Sequence, residues 1–184
     1  MLAKISIVSP TLVNFVVTNP STLIDSPLLG EVALGAMSLA TIGWAVIVIK
    51  IKINKKNLNL IDESYNSNPL SLQSAILNFD KIKIDKGKKY LLLGDMLELG
   101  KHSKKLHLSI GKIINNTKID KVFVKGNKVL FTYNSVSKKK RGRVLNNNSQ
   151  IIDLIKNDLN NNDYLMVKAS NATGFNKIIS EIKG

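Results

Sequence analysis

The stretch Ile49–Phe79, "IKIKINKKNLNLIDESYNSNPLSLQSAILNF", changes its hydrophobic period partway along. From Ile49 to Asp62 apolar and polar residues alternate around Asn54-Lys55-Lys56-Asn57, which predicts a β-hairpin. From Pro69 the apolar residues Leu72, Ala75, Ile76 and Phe79 fall at helical spacing, and Pro is favoured in a first turn. Between the two lie Asp62, Glu63, Ser64, Tyr65, Asn66 and Asn68, a polar turn that carries one aromatic ring.

The same alternation of elements continues to the end of the chain. "KKYLLLGD" (88–95) is a short apolar strand of the kind buried on both faces. Ser103–Asn115 reads as a helix with Leu106, Ile110, Ile113 and Ile114 on its apolar side. "DKVFVKG" (120–126) and "GRVL" (142–145) read as strands, and Ser149 as the N-cap of a helix over "QIIDLIKNDL". "DYLMVKAS" (163–170) is a strand and "TGFNKIISEIK" (173–183) a closing helix. Strands and helices in alternation predict a doubly wound, Rossmann-like α/β domain with a mostly parallel sheet over 49–184. Ligands of such sheets gather beyond the carboxyl ends of the strands. Four polar clusters follow strands, at 62–68, 94–100, 125–127 and 168–171, and three of them are expected to line one edge.

Residues 1–48 differ from this pattern. They hold three of the four prolines and the only Trp, with Lys4 set against Asp25 and Glu31. Val32–Ile49, "VALGAMSLATIGWAVIVI", carries no charge over 18 residues, the lower limit for a bilayer-crossing helix, and Lys50, Lys52, Lys55 and Lys56 follow it. Its second half, Thr41–Ile49, is equally β-prone, so a buried strand competes with an apolar transmembrane helix over 32–49. A third reading makes 1–48 an unrelated segment from a rearranged gene start.

Composition narrows the chemistry. Without cysteine the chain has no disulfide, thiolate metal site or Cys nucleophile, and His102 and His107 alone are too few for a His-based zinc site. The two histidines are five apart, off the spacing of one helical face, and read as surface or turn residues. Net charge is +14, which attracts phosphates. The joint abundance of Lys, Asn and Ile also fits a coding sequence rich in A and T. "SKKKRGR" (137–143) has no interleaved aromatics and reads as a solvated loop, so nucleic acid is not an expected partner.

The turn after the second hairpin strand can meet a nucleotide. Asp62 can accept ribose hydroxyls, Tyr65 offers a flat face to a base, and Asn66 and Asn68 both donate and accept. The competing reading is structural: Asp62 and Asn68 cap a turn and Tyr65 packs on the helix.

These residues carry a resemblance. "DESYNSNP" (62–69) resembles the D-[DE]-S-Y-N-A-N-P signature of the Mur ligases that add D-alanyl-D-alanine to a muramoyl tripeptide, with Ser67 in place of Ala. "LLLGDMLELGKHS" (91–103) and Leu106-His107 are similar to a second segment of that family. "DYLMVKAS" with "GFNKII" resembles its terminal D-x-[VL]-L-V-K-G-S, with Ala169 for Gly and Asn171 for Arg. The three motifs stand in family order over nearly all of 49–184, and they belong to the family's C-terminal domain only.

The resemblance implies ATP-dependent amide bond formation in the cytoplasm, for peptidoglycan synthesis. A carboxylate becomes an acyl phosphate, and the amine of D-Ala-D-Ala attacks it, with Mg neutralising the phosphates. It places nucleotide contacts at Asp62, Tyr65, Asn66 and Asn68. Substrate contacts, toward D-Ala-D-Ala and the UDP-MurNAc-tripeptide, fall to Asp95, Glu98, Lys168 and Ser170. The family holds the ATP phosphates and Mg chiefly in a central domain. "GDMLELGKH" (94–102) is not that phosphate loop: five residues separate its glycines where four are needed, and His102 stands where Ser or Thr is required. The expectation is a lobe without catalytic residues or a metal site of its own, inactive unless the missing domains are supplied in trans. The alternative is a membrane-tethered, non-catalytic binding module.

Overall fold

A computed structural model describes residues 4–8, 15–17 and 46–183. The hairpin forms as its alternation demands: β3 (Val46–Ile53) and β4 (Lys56–Glu63) pair antiparallel, following β1 (Lys4–Val8) and β2 (Phe15–Val17) in chain order. Asn54 and Lys55 both adopt positive φ, 49° and 66°, the signature of a type I′ turn whose twist suits the flanking strands. The polar turn then hands over to α1 (Pro69–Lys81). Beyond it come β5 (Lys89–Gly94), α2 (Ser103–Asn115), β6 (Lys121–Lys125), α3 (Leu130–Ser135), β7 (Arg141–Val144), α4 (Asn148–Asp153), β8 (Tyr164–Lys168) and α5 (Phe175–Lys183).

The strands form one sheet in the order β2-β1-β3-β4-β8-β5-β6-β7. From β4 to β7 every neighbouring pair is parallel, and β8 sits between β4 and β5. Consecutive residues of a strand face opposite sides, and both sides are covered. Leu91 and Leu93 join Leu72, Ile76 and Phe79 of α1 and Ile110 and Ile114 of α2 on one face. Leu92 joins Leu58, Leu60, Ile151 of α4 and Phe175, Ile178 and Ile179 of α5 on the other. This is the doubly wound α/β arrangement, and it explains why "KYLLLG" lacks alternation: all six residues are buried.

Three expectations change. Val46–Ile49 do not end a membrane helix; they open β3, which pairs with Lys4–Val8 along its first five residues. Their β-branched run, continued by alternating lysines, satisfies its backbone across a sheet. The strand runs across the boundary expected at 48/49, and residues 18–45, with most of the apolar run, lie outside the described residues. Among the described residues no helix is long and apolar enough to cross a membrane.

The second change concerns α4. Its N-cap is Asn147, whose side chain accepts from the Gln150 amide at 3.0 Å, two residues ahead of Ser149. The helix then widens into a π-helical turn, Leu154–Asp158.

The third is His107, which is 1% exposed rather than on the surface. It shares the buried stripe of α2 with Ile110, Gly111 and Ile114, while His102 remains exposed in the turn before it.

Candidate functional site: a polar rim at the carboxyl ends of four strands

Because β4, β8, β5 and β6 run parallel, the loops after them emerge on one edge. Glu63 pairs with Lys168, Leu93 with Lys168, and Gly94 with Lys125. All four polar clusters therefore meet there, where three were expected.

Ser170 stitches three of the loops together. Its amide donates to the Asp95 carbonyl (3.2 Å), its hydroxyl accepts from the Leu97 amide (3.0 Å), and that hydroxyl donates to the Ser67 carbonyl (3.3 Å). Asp95 fastens the fourth, its carboxylate accepting from the amides of Asn127 (3.2 Å) and Val129 (2.7 Å). Gly126 lies against that carboxylate at φ 141°, where a Cβ would come within 2.4 Å of Asp95 Oδ1. His107 holds the loop from below: Nδ1 lies 2.9 Å from the Ser103 carbonyl and Nε2 3.3 Å from the Met96 amide. Those partners fix a neutral imidazole with its proton on Nδ1. Burial pushes its pKa down, partly countered by the Ser103 carbonyl.

A depression of about 270 Å³ lies beside this scaffold, lined by Asp62, Glu63, Tyr65, Asn66, Asn68, Ser71 and Lys168. The four residues expected at a nucleotide thus come together, joined by Lys168 from the substrate set. Tyr65 is 78% exposed, so its ring does not pack on the helix.

Asp62 and Asn68 face other demands. Asp62 Oδ1 accepts from the Ser64 amide (3.1 Å) and hydroxyl (2.5 Å), and Oδ2 is bonded by Lys183 of α5. Burial works to raise the Asp62 pKa; the bonds from Lys183 and Ser64 outweigh it and hold the carboxyl below its ordinary value. Asn68 caps α1, accepting from the Ser71 amide at 2.9 Å while Ser71 Oγ accepts from the Asn68 amide at 3.1 Å. Among the described residues, the side chain of Asn66 has no such commitment.

Lys168 is 3% exposed, its ammonium held by the Asn66 carbonyl (2.8 Å) and Glu63 Oε2 (3.3 Å). Glu63 was passed over in the sequence, yet it places a half-exposed carboxylate next to Tyr65. Its pairing opposite Lys168 across parallel strands is the signal that was missed. Asp95, Glu98 and Ser170 do not line the depression. Glu98 is exposed on the neighbouring loop at φ 61°.

The basic run 137–143 is less solvated than expected. Lys140 is buried, donating to the carbonyls of Ile114 (3.1 Å) and Thr117 at the end of α2. Arg141 bonds the carbonyls of Val136 and Asn134, and Arg143 pairs with Asp153 and Asp158.

Comparison with known proteins shows the family. The glutamate ligase domain of the Mur ligases matches residues 50–171. A UDP-N-acetylmuramoyl-tripeptide–D-alanyl-D-alanine ligase of Bacillus subtilis is 29% identical over 83% of this chain and 33% of its own length. The ligase of the same name from Buchnera aphidicola (Baizongia pistaciae) is 34% identical over 72% of this chain and 28% of its own. The chain thus spans about a third or less of these relatives. A crystal structure of a MurF ligase from Thermotoga maritima in complex with ADP shares the fold, with a TM-score of 0.59 at 23% identity over 73% of this chain and 29% of that one. With residues 50–171 matched by that domain, the chain belongs to the Mur ligase family, of which it carries the glutamate ligase (C-terminal) domain.

Proposed function

We propose that this domain is the nucleotide-covering lobe of an ATP-dependent ligase that joins D-Ala-D-Ala to UDP-MurNAc-tripeptide in peptidoglycan synthesis. The observation that carries the reading is the depression beside Tyr65, where an unpacked ring, the Glu63 carboxylate and the uncommitted Asn66 side chain lie together. In this reading Tyr65 stacks on the base, and Glu63 and Asn66 meet the ribose hydroxyls. Asp62 and Asn68 shape the turn rather than touch ligand. Lys168 and the Ser170–Asp95 scaffold hold the rim in place for the substrates.

The residues suit the sugar and base of a nucleotide better than its phosphates. Two carboxylates line the depression, and the sequence has no phosphate-cradling loop. Among the described residues no group of three His, Asp or Glu side chains is arranged to hold a metal ion. ATP phosphates and Mg, which supply activation of the carboxylate, would therefore be gripped mainly by the family's central domain. Ligation depends on holding ATP, Mg and two substrates together, so the 184 residues alone do not turn over.

The test is ADP binding by the 184-residue chain, compared with Tyr65→Ala and Glu63→Gln. Loss of one stacking face should weaken binding by about 1–3 kcal/mol, the range for base–aromatic stacking. Equal affinity in all three proteins would remove the site. Ligation by the chain alone would refute the division of labour.

A further inference from the structure

Each carboxylate of the Tyr65 depression has its own ammonium, and the two ammonium groups come from different elements. Consecutive residues of β4 face opposite sides of the sheet, so Glu63 follows Ile61 toward α1, and Asp62 follows Leu58 and Leu60 toward α5. Glu63 pairs with Lys168 of β8 at 3.3 Å, and Asp62 pairs with Lys183 in the last turn of α5. The two lysines differ in what else they hold. Lys168 is buried and also donates to the Asn66 carbonyl, so it belongs to the fabric of the loop. Lys183 is more exposed, and among the described residues Asp62 is the only hydrogen-bond partner of its ammonium. The turn does not need it for closure, because Asp62 Oδ1 takes both Ser64 bonds and only Oδ2 is left to the lysine.

The charge balance follows from these pairs. Asp62, Glu63 and Lys168 are the ionic residues that line the depression, two carboxylates and one ammonium, which leaves a net charge of −1. Lys183 behind Asp62 brings the balance to zero. Burial works against the Asp62 charge, but the bonds from Lys183 and Ser64 outweigh it, so the carboxyl stays ionised at neutral pH. Coulomb energy falls only as the inverse of distance. An uncompensated Asp62 would therefore oppose a phosphate chain leaving the depression in any direction, and it would leave an uncharged ligand alone.

We propose that Lys183 sets the ligand class of this depression: by compensating Asp62 it lets a nucleoside diphosphate bind as well as the bare nucleoside. The inference rests on the nucleotide reading of the Tyr65 site. The test is calorimetric titration of the 184-residue chain with ADP and with adenosine, free of magnesium, with urea unfolding of each variant as the check on folding. The unsubstituted chain should bind the two within about threefold of each other. Lys183→Met should weaken ADP by about tenfold or more and adenosine by less than about threefold, and added salt should shrink the difference. Lys183→Arg should keep the original ratio. Lys183→Met/Asp62→Asn removes the stranded charge along with its partner, so it should restore the ratio, whatever both ligands lose in common; it also carries the test if Lys183→Met alone fails to fold. Equal losses for ADP and adenosine in Lys183→Met would reduce Lys183 to a tether and overturn the proposal. So would a ratio that the double variant does not restore. Tyr65→Ala separates the two levels: if it leaves both affinities unchanged, the nucleotide reading itself falls. If it weakens both while Lys183→Met leaves their ratio alone, only the role given to Lys183 falls.

Discussion

Two buried serines at the rim should respond to alanine in opposite directions. The Ser170 hydroxyl donates to the Ser67 carbonyl and accepts from the Leu97 amide, and it joins loops that begin on β4, β5 and β8. A net hydrogen bond contributes about 0.5–1.5 kcal/mol, and stranding its buried partner adds desolvation, so Ser170→Ala should cost roughly 2–3 kcal/mol. The Ser67 hydroxyl is equally enclosed and, among the described residues, has no hydrogen-bond partner; it is the main-chain carbonyl of Ser67 that takes part in the network. Ser67→Ala leaves that carbonyl in place and removes an unsatisfied group, so it should be neutral or stabilising by up to about 1 kcal/mol.

Equilibrium urea unfolding measures both. With a slope of about 2 kcal/mol per molar, Ser170→Ala should lower the midpoint by about 1 M or slightly more, and Ser67→Ala should hold it or raise it by up to about 0.5 M. The double variant separates local from shared effects. Once Ser170 is gone, Ser67→Ala should have the same small effect as before, because the two hydroxyls are not bonded to each other. A large loss in Ser67→Ala would show that its hydroxyl has a partner after all. A neutral Ser170→Ala would show that the loops are fastened elsewhere, and the account of the rim as one stitched unit would be wrong.

Three further outcomes are expected. Lys55→Gly should stabilise the hairpin by about 0.5–1 kcal/mol, because Lys55 holds φ 66° in a type I′ turn where Asn-Gly is favoured; thermal unfolding would show the gain. Lys140→Met should cost about 1–3 kcal/mol, because it strands the Ile114 and Thr117 carbonyls at the end of α2; hydrogen exchange in that last turn would accelerate. The His107 pKa lies below 6.5 in the folded chain, so the unfolded chain binds the proton more tightly. Its contribution is complete above that ordinary value and is lost as pH falls toward the depressed one, so His107→Leu should flatten the fall in urea midpoint between pH 7 and pH 5.

The fold was legible because period is a local property. The alternation at 49–62, the helical spacing after Pro69 and the unbroken apolar strand at 90–93 each report on their own neighbourhood, and their order limits the topology. Some site details were local as well and could have been read. Asn68 and Ser71 sit three apart at a helix start, the spacing of a reciprocal cap. His107 lies at i−3 and i−7 from Ile110 and Ile114, on the helix stripe that turned out buried. Other details were not local. What occupies Asp62 is Lys183, 121 residues away, and what buries Lys140 is the end of a helix more than 20 residues earlier. A motif states what a side chain can do, and distant partners decide what it is left to do.

That distinction changes how the signature DESYNSNP works in this chain. In the proposed reading its eight positions do not form one set of ligand contacts. Asp62 and Ser64 close the turn on themselves, Ser67 and Asn68 tie it to the neighbouring loop and to α1, and these bonds leave Tyr65 standing clear. An exposed ring pays little for stacking only if its backbone is already fixed, since ordering one residue on binding costs about 1–2 kcal/mol, as much as the stack can return. In the proposed reading, the residues that fix the turn are thus what would make Tyr65 able to hold a nucleotide. Substitutions at Asp62 or Asn68 should weaken ADP by loosening the turn, and they should lower stability in proportion. Tyr65→Ala should weaken ADP with no loss of stability, and that uncoupling separates the contact from its support.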